Sequence, residues 1–298
     1  MAELLKGQIV DTHFHLWDKG ISSQTWLKPD PDFWFRTFAP ADLEDAATNI
    51  SLGTCVAIEA GRTTRENHAL GQWANNFSLI GAFIPYIDLE SHDLGQQLDA
   101  WQEHAKFRGV RMGFEGHADP GILQKVSILE GLREIARREL IFEFLVLPAH
   151  LHDLLMVLEK VPQLQCVIEH MAKPGLKNTD HHAIWHQQMQ LLAKHTAVPC
   201  KLSLSPQASQ VDQWLQERGQ HWPPQAIRTH ILFMLEHFGA DRLMWGSDWP
   251  VCLMVDNYEN TWLAIDDCLA DVTHEDKRKI YCDTALDFYR PIVGSRSI

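Results

Sequence analysis

Eight short apolar runs recur along the 298-residue chain, each followed by a stretch patterned for an amphipathic helix, and no other feature limits the fold so tightly. The runs are QIVDTH, TCVAIEA, LIGAFIPYI, RGVRMGF, IFEFLVL, QCVIEH, VPCKLSLS and RLMWGS. Between them lie segments such as PADLEDAATNISLG, RENHALGQWANNF, ILEGLREIARREL and HDLLMVLEKV, and KRKIYCDTALDFY ends the series. Runs that are apolar almost throughout, joined by helices and not by tight hairpins, mark parallel strands buried on both faces. Eight such units are what a (β/α)8 TIM barrel of the α/β class requires. No fixed-period repeat, low-complexity tract or Ser/Gly-rich linker divides the chain, so residues 1–298 are expected to form a single domain.

Composition narrows the partners. Lys and Arg number 26 against 39 Asp and Glu, a net charge of −13 with no basic run, so the phosphate backbone of a nucleic acid would be repelled. MAELLKGQIV lacks the features of a secretory signal, and no uninterrupted apolar stretch approaches the roughly 18 to 20 residues that span a bilayer. A membrane partner is not expected. Six cysteines stand singly without a C-x-x-C, the pattern of free, buried thiols in a reducing cytoplasm. Homo-oligomer formation stays open.

The first run closes on IVDTHFHLWD. With 17 histidines in 298 residues, roughly one His-x-His is expected by chance, and His150 and His152 repeat the spacing at what reads as a helix start. Context separates the two pairs. Residues i and i+2 of a strand share a face, so His13 and His15 can both point into a barrel mouth, with Asp11 one layer deeper to orient or join them. Arg111 lies on the fourth run, Glu143 on the fifth, Glu169 and His170 end the sixth, Lys201 sits in the seventh and Asp248 ends the eighth. Charged groups inside apolar strands are costly unless paired or ligating. A lone Glu143 or Lys201 reads equally well as a satisfied structural group. Imidazoles and a carboxylate at the ends of three strands point instead to a shared site at the carboxyl face, where barrels carry their chemistry. His13, His15, His170 and Asp248 are ligands of the kind that Zn²⁺ or Mn²⁺ accepts. A bound divalent ion acidifies water and polarises a carbonyl, which points to hydrolysis with Asp248 as general base.

VDTHFHLWD, GVRMGF, VIEHMAKPG, LMWGSDWPV and YCDTALDFY together resemble the amidohydrolase superfamily, in particular the amidohydrolase-related hydrolases that include pyrone-dicarboxylate and sugar-acid lactonases. The resemblance runs from about Ile9 to Tyr289. It implies a distorted barrel with His13, His15, His170 and Asp248 around the hydrolytic water, and one divalent ion, although the pyrone-dicarboxylate branch works without a metal. This chain departs from the usual strand-six DH-x-x-KP with a glycine among the x residues: Glu169 replaces the Asp, and Met171 and Ala172 fill the gap. Glu115 and His150 are the residues that would keep a second metal open.

The expected reaction is opening of a neutral or monoanionic lactone, a small-molecule substrate. Asp248 takes the proton of the attacking water, and His170 or Lys173 stabilises the oxyanion. Arg111, Lys201, Glu143 and Trp249 are expected to touch the substrate, with Arg62 as a further anion clamp and, as sugar-packing surfaces, Trp17 at the end of the first run and Trp26 and Trp34 in a long loop from Lys19 to Arg36. The stretch SQVDQWLQERGQHWPP is expected to be an insertion over the site. The rival readings are a metal-independent lactonase, an amide hydrolase, a non-oxidative decarboxylase and a catalytically idle binding barrel.

Overall fold

The computed structural model describes residues 9–22, 36–117, 119–174, 182–205 and 222–293. Its strands coincide with the eight apolar runs: β1 (Ile9–His15), β2 (Leu52–Ile58), β3 (Ile80–Ile84), β4 (Gly109–Gly113), β5 (Ile141–Leu145), β6 (Gln165–Ile168), β7 (Cys200–Leu202) and β8 (Leu243–Trp245). All neighbouring strands pair in parallel, as burial on both faces predicts.

The ring is assembled as two sheets, β1-β2-β3 and β4-β5-β6-β7-β8. They meet along two seams. At one, Phe83 bridges Phe107 and Tyr86 bridges Arg111; at the other, Phe14 bridges Trp249. Backbone bonds from His15 N to the Trp249 carbonyl, 2.7 Å, and from Asp248 N to the His13 carbonyl, 2.8 Å, close the second seam.

Helices α1 (Pro40–Ala46), α2 (Thr64–Asn76), α3 (Leu94–Gln102), α4 (Val126–Arg137), α5 (Leu151–Lys160), α6 (His182–His195), α7 (Pro224–Phe238) and α8 (Tyr258–Asp266) follow the strands in turn. Local sequence explains their limits. Thr63 and Glu66 form a capping box that starts α2, satisfying backbone N–H groups that the first turn leaves open. Ile128, Leu129, Leu132, Ile135 and Ala136 make the buried stripe of α4 at helical spacing. His150 ends a single 3-10 turn, Pro148–His150, and leads into α5, as its proline and apolar context predict.

The expected final helix is present and runs without interruption from α9 (His274–Arg278) through a π-helical turn, Lys279–Asp283, into α10 (Thr284–Tyr289). Along it Ile280 and Tyr281 pack in the large layer between strands and helices, while Cys282, Ala285 and Tyr289 close the barrel floor against Val10, Val56, Ile84, Val167 and Met244. No helix among the described residues is long and apolar enough to cross a membrane. Trp26, Trp34 and most of the stretch expected as an insertion lie outside the described residues.

Candidate metal centre

His13 and His15 both enter the barrel mouth, their Nε2 atoms 3.1 Å apart. Asp248 Oδ1 lies 3.6 Å from His13 Nε2 and 3.2 Å from His15 Nε2. The turn after β8 brings that carboxylate in. Asp248 itself is in the left-handed region, φ 55, and its N–H is fixed to the His13 carbonyl. Gly246 permits the approach, because a Cβ there would stand 2.8 Å from the Cβ of His13. Asp11 sits behind the turn and accepts from Ser247 N at 2.9 Å, Ser247 Oγ at 2.7 Å, Tyr258 OH at 2.9 Å and His13 N at 3.1 Å. It orients the site and does not join the converging donors.

Hydrogen bonding prepares these groups to hold a cation. His15 Nδ1 faces the carbonyls of Glu59, 2.8 Å, and Ile58, 3.2 Å, so it carries a hydrogen, and Nε2 is the nitrogen turned toward His13 and Asp248. Burial, with the nearby His170 and Lys201, holds His13 well below the usual imidazole range. Burial likewise keeps His170 neutral, against the pull of Asp248. Burial pushes the Asp248 carboxyl up, but His170, His15 and the Ser205 hydroxyl outweigh it and hold it at about 2. Asp248 Oδ2 is buried without a hydrogen-bond partner meeting ordinary geometry among the described residues. Imidazole nitrogens converging on a carboxylate with an orphaned oxygen fit a divalent ion of borderline hardness.

His170 stands beside this set, its ring centroid 4.3 Å from that of His13, with Nδ1 hydrogen-bonded to Ser203. It lies in a 3-10 turn directly after β6, and His170, Met171, Ala172 and Lys173 all have positive φ, between 48 and 55. Four consecutive non-glycine residues in the left-handed region carry a cost on the order of 1 kcal/mol or more each. Trp185 Nε1, donating to the Met171 carbonyl at 2.6 Å, helps hold the turn. His13, Glu169 and His170 form a second group with ligand atoms within 4.8 Å of one another. Glu115 and His150 do not belong to it: Glu115 pairs with Lys173 at 2.7 Å, and His150 Nδ1 accepts from Leu147 N.

The residues expected to touch substrate sit differently. Arg111 is buried, with Nε and Nη2 on Glu169 Oε2, 3.2 and 2.9 Å, and Nη1 on Glu59, 3.2 Å. A guanidinium has five donors, and these carboxylates with the Glu59 carbonyl occupy most of them. Lys201 donates to Glu143 Oε2 at 2.5 Å and the Thr12 carbonyl at 2.8 Å, and lies 3.3 Å from His13 Nδ1. Glu143 and Lys201 are both fully buried and paired with each other beneath His13. Trp249 packs edge-on against Phe38, and Trp17 does the same while bonding the Arg36 carbonyl, so both rings belong to the core. Arg62 is exposed, over the Tyr86 ring. Glu59, Ser203 and Tyr289 are further site-linked residues. Ser203 shares strand parity with Lys201, the one signal that could have pointed to it.

A family model described as Amidohydrolase matches residues 10–290. The chain is 30% identical over 285 residues to the L-fucono-1,5-lactonase of Burkholderia ambifaria, covering 94% of this chain and 95% of that protein. A zinc-bound crystal structure of an amidohydrolase from Burkholderia multivorans superposes with a TM-score of 0.87 at 23% identity, over 95% of this chain and 99% of the other. A putative 2-pyrone-4,6-dicarboxylic acid hydrolase from Pseudomonas putida shares the fold at TM-score 0.71 and 19% identity, over 95% and 97% of the two chains.

Proposed function

The chain belongs to the amidohydrolase family, and from that premise we propose that it is a metal-dependent hydrolase opening a sugar-acid 1,5-lactone, with zinc as its ion and manganese as the alternative. The observation that carries this reading is the convergence of His13 Nε2, His15 Nε2 and Asp248 Oδ1, each within 3.6 Å of the others. Likeness to an L-fucono-1,5-lactonase supports the lactone. So does the state of the cations. Arg111 and Lys201 are both taken up by buried carboxylates, so among the described residues they offer a dianionic substrate little to grip.

His13, His15 and Asp248, with His170 beside them, would hold zinc, and the bound ion would supply Lewis acidity toward the water and the lactone carbonyl. Asp248 accepts the proton of the attacking water, its orphaned Oδ2 being the free acceptor. As the acyl C–O bond breaks, the same proton passes to the ring oxygen, leaving a hydroxy acid. His170 stays neutral, with its Nδ1 side committed to Ser203. Lys173, oriented by Glu115, brings positive charge to the oxyanion, a contribution of roughly 3 to 4 kcal/mol for one good donor.

A panel of aldonolactones, followed with a pH indicator, tests the reading, since each ring opening releases one proton. Turnover of 1,5-lactones by the zinc-loaded protein is expected. Absence of turnover on every lactone overturns the substrate class, and a protein that takes up no divalent ion overturns the metal.

A further inference from the structure

The closing motif YCDTALDFY has no task in the chemistry above, yet its last residue reaches the site from the opposite end of the barrel. Tyr289, on α10, is fully buried in the floor. Its hydroxyl donates to Glu143 Oε1 at 2.6 Å. Glu143 Oε2 accepts from Lys201 Nζ at 2.5 Å, and Lys201 donates in turn to the Thr12 carbonyl at 2.8 Å. Thr12 precedes His13, and the same ammonium lies 3.3 Å from His13 Nδ1. Tyr289, Glu143, Lys201, Thr12 and His13 all have zero exposure, so the line runs from α10 through β5 and β7 to β1 without meeting solvent.

We propose that Tyr289 is a positioning residue for the metal centre: its phenol fixes Glu143, Glu143 fixes Lys201, and Lys201 fixes the peptide that carries His13. This rests on the reading of His13 as a ligand. Two observations favour it over plain floor packing. First, His13 lies on the seam where β1 meets β8 through an isolated bridge, so on that side single bonds such as Asp248 N to the His13 carbonyl hold its backbone in place of a regular ladder. Second, each joint of the line is a buried hydrogen bond, and networks of this kind are rigid only while every member is satisfied. The Lys201 bonds to Thr12 and Glu143 do not depend on which His13 nitrogen carries hydrogen, so the brace acts with or without a bound ion.

The test is zinc affinity, measured by competition with a chelating dye, on full-length variants. Tyr289→Phe removes one oxygen and leaves the ring in the floor; its zinc Kd is expected to rise about 10-fold, the lower end for an outer-shell change. Lys201→Met is expected to weaken binding by about 100-fold, and adding Tyr289→Phe to it should change Kd by less than about twofold, because the line is already broken. Glu143→Gln serves as a second variant and should fall between them. Ile84→Val, a floor residue outside the line, lowers Tm but should leave Kd unchanged. A Tyr289→Phe protein binding zinc as the wild type does, or an Ile84→Val protein weakened equally, overturns the proposal and leaves the proposed function standing. A wild-type protein without zinc affinity overturns both.

Discussion

Arg111 offers the sharpest test of the buried charge arrangement. Substituting methionine keeps the stem's bulk and deletes a guanidinium that bonds Glu169 and Glu59 across three strands. Removing one partner of a buried ion pair costs about 3 to 5 kcal/mol, because a charge is left without compensation. At roughly 2.1 cal/mol/K of unfolding entropy per residue, this chain changes by about 0.6 kcal/mol per degree, so Tm should fall by about 5 to 8 °C. The loss should also depend on pH. Burial, joined by Glu143 and opposed by Arg111, pushes the Glu169 carboxyl up to about 7 from its ordinary 4.5. The fold therefore holds that proton more tightly than the unfolded chain does, and stability declines as pH rises from about 4.5 through 7. Without Arg111 the folded value moves higher, and the decline continues into alkaline solution. Thermal scans of metal-free Arg111→Met and wild type should show a Tm gap that widens from about pH 6 to about pH 9. A gap under about 2 °C, or one that stays constant with pH, would refute the reasoning.

Asp248→Asn should lower kcat by about 10³-fold or more with KM little changed, since the amide cannot take the water proton; steady-state kinetics on a turned-over lactone check this. Chelation should abolish turnover, and back-titration with zinc or manganese should restore it at about one equivalent, read by metal analysis. Gly246→Ala sets a Cβ 2.8 Å from that of His13, so it should cost about 1 to 3 kcal/mol of stability and weaken zinc binding together. If it behaved as wild type in both respects, the close approach would carry no constraint.

Much of the architecture was legible because a doubly buried strand announces itself as an apolar run, and the eight runs match the eight strands. His13, His15, His170 and Asp248 stood out as polar ends of such runs, and the fold gathers them at one mouth. What they contact was not legible. Arg111 and Lys201 read as anion clamps because nothing local reveals that Glu59, Glu169 and Glu143 face them from other strands; that depends on register around a closed ring. Trp17 and Trp249 were ambiguous for a different reason: an aromatic beside a loop is equally a core residue, and Phe38 decides the matter from a distant segment. The left-handed turn at His170–Lys173 contains no glycine to signal it, so local propensity argued against the conformation that tertiary contacts enforce.

The two seams have a mechanical consequence. A cylinder joined lengthwise along two lines is weakest in shear there, and His13 and His15 stand on one side of the β8/β1 line while Asp248 stands on the other. An ion gripped by both edges would therefore work as a buckle, adding to the backbone bonds that already join them a resistance to parting that grows with how tightly it binds.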